Sequence, residues 1–149
     1  MTHEPRILRA DEARASVDLF LRALLQAPVT DEHWAVVAAD LAPGRSWGVH
    51  ARDELVATGR AFATRTAVPG GAVLDVGAVT QIAVRADHTR RGLLTAVMRA
   101  LLGDVAERGE TLAVLHATEA RIYGRFGYGV ATRSRSLTVR AASRAARSG

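Results

Sequence analysis

A chain of 149 residues with 48% hydrophobic content holds the material for one domain around one sizeable core. It has no cysteine, which excludes disulfides, thiolate metal sites and cysteine nucleophiles, and its five histidines are scattered without ligand-like spacing, so no metal is expected. The net charge of +5 is uneven: residues 1–119 hold 13 arginines against all 15 acids, residues 120–149 hold seven arginines and no acid, and lysine is absent.

Arginine without lysine, with abundant Ala, Gly and Val, is what a GC-rich coding sequence produces. The basic stretch has no aromatic residue interleaved after Tyr128, so no nucleic-acid partner is expected. The N-terminal MTHEPRILRADEAR lacks a signal peptide's apolar segment, and no apolar run approaches the roughly 18 residues of a membrane span. The expectation is a cytoplasmic chain with no membrane partner; a homo-oligomer is left open.

Residues 6–9, RILR, read as a short strand. A helix follows, with Asp11 near its first turn and Val17, Phe20, Leu21, Leu24 and Leu25 recurring at helical spacing. A second helix is expected from Asp31 to Leu41, its acids at the positive end. SWGVHA and ELVATGRAFATR, joined across Arg52-Asp53, predict an antiparallel hairpin, and AVLDVGAVTQIAV a further strand ending near Val84. Over residues 91–108, Leu93, Leu94, Val97, Met98, Leu101, Leu102, Val105 and Ala106 mark one face of an amphipathic helix, ended by Gly109. The apolar run TLAVLHA has the pattern of a strand buried on both faces, making strand, helix and strand a βαβ unit. A short helix near 118–124 and a strand near Ala131–Val139 complete the reading, and AASRAARSG is expected to be a disordered tail.

Two stretches have the residue types for chemistry. In RADHTRRGLL, residues 85–94, a strand ends in a polar loop, and Gly92 stands at the entrance of the long helix, where free N–H groups and the helix dipole suit an anion. Neither a P-loop nor a GxGxxG fingerprint is present. In IYGRFGYG, residues 122–129, both tyrosines of the chain stand among glycines that imply tight turns. By residue type alone, Tyr123 and Tyr128 are as well explained by closing a core.

In their order, "RRGLLTAVM", "LHATE" and above all "IYGRFGYG" resemble the GNAT N-acetyltransferase superfamily, in detail the N-terminal domain of the enhanced intracellular survival (Eis) acetyltransferases. The resemblance is strong from Ala78 to Val139 and holds only in outline before that. It implies an α/β GNAT fold, a mixed central sheet with splayed parallel strands flanked by helices, over residues 1–140 with a tail at 141–149. It also implies that acetyl-CoA pairs with backbone at Ile82, Ala83 and Val84 and rests its pyrophosphate on Arg90, Arg91, Gly92, Leu93 and Leu94, with Thr118 beside it. Tyr123 matches the family's general acid, and Gln81, His116 and Trp34 fall on the acceptor side; a core histidine stays open for His116, and for Trp34 helix packing is the preferred reading. The superfamily usually has Gln or Arg where this chain has Thr89, which implies weaker cofactor affinity.

The implied reaction is transfer of an acetyl group to a primary amine, on a cationic small molecule such as an aminoglycoside or polyamine, or on a lysine side chain. The resembling proteins continue through further domains that supply the terminal carboxylate used as base. Without that carboxylate, His116, a water chain or the Gly149 carboxylate remain as bases. A module that binds CoA or a partner without turnover, and an N-terminal fragment of a larger enzyme, stay open beside the enzyme reading.

Overall fold

The computed structural model describes residues 4–41, 43–117 and 119–138, which fall into two compact units divided between Thr118 and Glu119. The first contains strands β1 (Arg6–Ile7), β2 (Ser46–Ala51), β3 (Glu54–Ala67), β4 (Val73–Val84) and β5 (Leu112–Leu115), with helices α1 (Ala13–Ala23), α2 (Asp31–Ala39) and α3 (Leu93–Glu107). The sheet runs in the order β1-β2-β3-β4-β5, antiparallel up to β4 and parallel between β4 and β5. This is the mixed, helix-flanked sheet implied by the sequence.

The hairpin closes where expected. Arg52 and Asp53 have φ of +49° and +68°, the left-handed pair that a two-residue turn needs to match the strands' twist.

The helices take opposite faces of the sheet. Ser16 of α1 shares a buried 2.6 Å hydrogen bond with Thr58 of β3. A Cβ added to the next residue, Gly59, would instead meet Val97 and Leu101 of α3, at 2.7 and 2.8 Å. Neighbours along a strand point to opposite faces, so one face carries α1 and the other α3. Val49, Val56, Ala57, Ala61 and Val76 are fully buried between them, with Val97, Met98 and Leu101 closing the α3 side.

A buried ion cluster ties α3 to the sheet. Arg45, ahead of β2, donates through Nε to Asp104 at 2.9 Å and through both terminal nitrogens to Glu110 at 2.7 and 2.8 Å. Arg108 donates to the other Asp104 oxygen at 2.8 Å. Gly77 of β4 leaves the room this needs, since a Cβ there would stand 2.6 Å from the Glu110 carboxylate.

Three expectations are corrected in the first unit. Leu24 and Leu25 lie beyond α1 and are exposed; Leu19 takes the buried position with Val17. At the start of α1, Glu12 rather than Asp11 reaches back, accepting the Arg9 N–H at 2.8 Å, and the Arg6 guanidinium pulls its pKa down to about 2. That contribution to stability is present above the ordinary carboxylate range and is lost as pH falls from about 4.5 towards 2, so Glu12→Gln should flatten the acid limb of a pH-dependent melting curve. β5 is not fully buried: Leu112 is 45% exposed and Ala113, Val114 and Leu115 are half-buried.

In the second unit, the helix expected at 118–124 is two 3-10 turns, Ala120–Ile122 and Gly124–Phe126, cut off by Gly127 at φ +90°. The strand expected at Ala131–Val139 is absent over 131–138, where the residues are exposed and irregular. That stretch alternates arginine with serine and threonine and offers only Leu137 as a large apolar residue, 81% exposed. Val139 and the tail at 141–149 lie outside the described residues.

Candidate active site

The site starts from the way β4 leaves β5. Their pairing runs from Val76↔Leu112 to Val79↔Leu115 and stops, while β4 continues to Val84 against β3. From Thr80 to Val84 the β4 edge on the β5 side therefore has no strand partner among the described residues. A bulge helps to turn it away. Thr58 pairs with Ala83 and Arg60 with Thr80, so Gly59 alone opposes both Gln81 and Ile82. Gln81 carries the extra residue's geometry, with φ +53°, and a bulge bends its strand and increases the local twist. Gly59 lets this happen, because a Cβ there would stand 2.6 Å from Ile82 Cδ1. The unpaired edge contains Ile82, Ala83 and Val84, the three positions whose backbone the resemblance assigns to acetyl-CoA.

The same strand leads directly to the loop that the resemblance assigns to the pyrophosphate. Arg85 donates to Val56 O at 2.8 Å through its backbone, and its guanidinium bridges Glu54 and Asp87, pinning the loop to the hairpin turn. The Arg85 guanidinium, helped by His88, holds the Asp87 carboxyl well below the usual carboxylate range. Thr89 spends its hydroxyl on the Ala86 carbonyl at 3.1 Å. Arg90 has φ +60°, and Gly92, the N-cap of α3, has φ +78° with no side-chain cap. Turns of this kind direct backbone N–H groups into an anion-binding concavity, and the uncapped first turn adds its own donors. Leu93 is buried and anchors the helix start, while Arg90, Arg91 and Gly92 are exposed. Neither Arg90 nor Arg91 makes a salt bridge among the described residues.

At the fork itself lies a cavity of about 290 Å³, lined by Phe62, Ala78, Val79, Thr80, Val114, Leu115 and His116. His116, which the resemblance assigns to the acceptor side, lies just past the end of β5 and lines this cavity. Gln81 stands beside the cavity on the bulge rather than in its lining. Trp34 is engaged elsewhere: the Arg14 guanidinium lies 5.8 Å from its ring and also pairs with Asp31, which fastens α2 to α1. Phe62 and Thr80 were not anticipated from sequence. Thr118 lies outside the described residues.

Tyr123 belongs to the second unit. Its carbonyl accepts the Phe126 N–H at 2.9 Å, folding the glycine-rich turn back, and its ring meets Tyr128 edge-on with centroids 6.0 Å apart. Burial raises the Tyr123 pKa and pushes Tyr128, whose buried hydroxyl finds no partner among the described residues, up to about 12.

The family model for the acetyltransferase (GNAT) domain matches residues 4–131. The chain belongs to the GNAT acetyltransferases. It is 43% identical over 143 residues to an uncharacterised N-acetyltransferase of Streptomyces coelicolor, covering 93% of this chain and 35% of that protein. The crystal structure of Eis1 from Mycobacterium abscessus superposes with a TM-score of 0.75 at 40% identity, over 87% of this chain and 32% of that one. A predicted acetyltransferase of Clostridium acetobutylicum, solved with acetyl-CoA, shares the fold at a TM-score of 0.73 and 16% identity, over 91% and 95%. The chain thus spans about a third of the length of the Eis-like relatives it matches. No helix among its described residues is long and apolar enough to cross a membrane.

Proposed function

We propose that this GNAT domain transfers an acetyl group from acetyl-CoA to a primary amine held in the cavity at the strand fork. The observation that carries the reading is the continuity of the unpaired β4 edge, the left-handed Arg90–Gly92 turn and the uncapped start of α3. One stretch of backbone offers donors along an extended arm and then a cradle for phosphates. Acetyl-CoA supplies an activated acetyl thioester. The chain's residues supply the rest: the β4 edge orients the pantetheine arm and presents an N–H to the developing oxyanion, and Arg90 and Arg91 add positive charge at the phosphates. His116, in the cavity wall, takes the proton from the attacking nitrogen.

Tyr123 gives its phenolic proton to the departing sulfur. From an unperturbed phenol to a thiolate of cysteine-like basicity this is uphill by roughly 2 kcal/mol, and the burial that raises the Tyr123 pKa makes the transfer costlier while keeping the phenol protonated across the neutral range. The acceptor is read as a lysine side chain or a small amine. The small amine includes the cationic class, such as an aminoglycoside or polyamine; among the described residues the cavity lining offers such an acceptor no carboxylate.

Release of free thiol from acetyl-CoA by the 149-residue chain, with and without a panel of primary amines, tests the reading. Amine-dependent release is expected; bound acetyl-CoA without release under any amine would identify a binding module instead. Thr89→Arg, placing a cation beside the phosphates where the loop has only a spent hydroxyl, should tighten acetyl-CoA by several-fold in a calorimetric titration. An unchanged dissociation constant would show that Thr89 does not weaken the site.

A further inference from the structure

β3 buries an arginine that the reaction just described does not use. Arg60 is 8% exposed, in the otherwise small and apolar run VATGRAF. It shares the α1 face of the strand with Thr58 and Phe62. Its Nη2 donates to the Asp40 carbonyl at the end of α2, and its Nε is buried with no hydrogen-bond partner. It makes no salt bridge with any described residue. Burial lowers its pKa, and the Asp40 carboxylate opposes this from beyond ion-pair range. An arginine stays protonated in such a setting. A buried guanidinium with so little compensation is uncommon, because buried charges are normally paired.

This charge borders the cavity. Arg60 Cζ lies 5.7 Å from the centroid of the Phe62 ring, and Arg60 is register partner to Thr80; Phe62 and Thr80 are both cavity-lining residues. The other charged groups on the surrounding elements either pair away from the cavity or, like Arg22 of α1 and Glu32 of α2, are exposed. On α1, Arg14 pairs with Asp31, and Asp18 accepts the Val29 N–H. Arg65 of β3 pairs with Asp75 of β4, and Glu54 pairs with Arg85. His116 is the titratable side chain in the lining itself.

We infer that Arg60 acts as a positioning residue of the electrostatic kind, whose fixed charge beside the cavity disfavours the ammonium form of the acceptor and delivers its amine unprotonated. This rests on the acetyl-transfer reading. Only the neutral amine has the lone pair that attacks, and a like charge nearby lowers the pKa of the bound ammonium, which gives its proton to water. The same field disfavours an acceptor with a second positive charge close to the first, so it selects for monoamines.

The test compares pH profiles of kcat, which report the bound complex, with those of kcat/KM, which report free enzyme and free amine. Two primary amines of different basicity are used with wild type, Arg60→Met and Arg60→Lys. The wild-type kcat limb should track each amine and lie about one unit below that amine's own pKa. Arg60→Met should raise it by about one unit, Arg60→Lys should keep it low, and the kcat/KM limb should stay with the free amine. A kcat limb unmoved in Arg60→Met overturns the inference. So does a wild-type limb at or above the free amine's pKa, a result that needs no variant to fold. A second readout needs no turnover: calorimetry at pH 7 with benzylamine and benzyl alcohol. Wild type should prefer the alcohol, and Arg60→Met should shift the ratio by about tenfold towards the amine. An unchanged ratio, or binding of neither probe, overturns the inference even where thiol release fails and the transfer reading falls with it.

Discussion

Tyr123→Phe is expected to lower kcat for amine-dependent thiol release by about a hundredfold or more, the scale of a lost general acid, with acetyl-CoA affinity unchanged. The substitution removes one hydroxyl and keeps the ring, so the edge-on contact with Tyr128 and the backbone turn through Phe126 persist. Burial raises the Tyr123 pKa, so the proton-donating form dominates at all neutral pH values and any loss of rate from its ionisation appears on the far alkaline side. Tyr128→Phe is the matched control. Its hydroxyl is buried without a partner among the described residues, so removing it should leave kcat alone and be neutral or mildly stabilising. Equal losses in the two variants would show that the phenols act through packing.

The second large effect concerns stability. Arg45→Met should destabilise the domain by about 3–5 kcal/mol, because it strands two carboxylates, Asp104 and Glu110, that are nearly as buried as the arginine they share. Arg108 remains on Asp104 and compensates in part, but it lies on the half-exposed side of that carboxylate. A drop on the order of 10 °C in thermal melting is expected. Removing the whole cluster together, Arg45→Met with Asp104→Leu and Glu110→Met, should recover much of the loss, since the penalty comes from unpaired charge. If the single variant melts with wild type, the cluster contributes nothing net. The cluster ties α3 to the chain just ahead of β2, so a loosened α3 should also weaken acetyl-CoA binding at its other end.

What the sequence makes legible is periodic or chemical. α3 announces itself through eight apolar positions on one face, and five of them are buried in the structure. The Arg52-Asp53 turn, the strand into Val84 and the arginine-glycine helix start are local patterns that tertiary contacts leave intact. The bulge at Gln81 was not legible, because one left-handed residue inside an alternating strand leaves no signature beyond a small partner opposite, here Gly59. β5 is less buried than its composition suggests, because an apolar run does not report how much of each face is covered. Over 131–138 the expected strand does not form, because this stretch has too little apolar surface to hold one. At the candidate site, motif order points to the loop at 85–94 and to His116. It does not point to Phe62 and Thr80, since nothing in their own stretch separates a cavity wall from a core strand. Arg60 carries a signal of its own, a lone charge in a buried strand.

The most direct measurement is to follow an isotope-labelled acetyl group from acetyl-CoA during incubation of the 149-residue chain with a primary amine. The proposed chemistry predicts the label on the amine nitrogen, in proportion to thiol released and nearly absent with Tyr123→Phe. Label retained on the protein, or released as acetate at the same rate without amine, would contradict direct transfer at the β4–β5 fork.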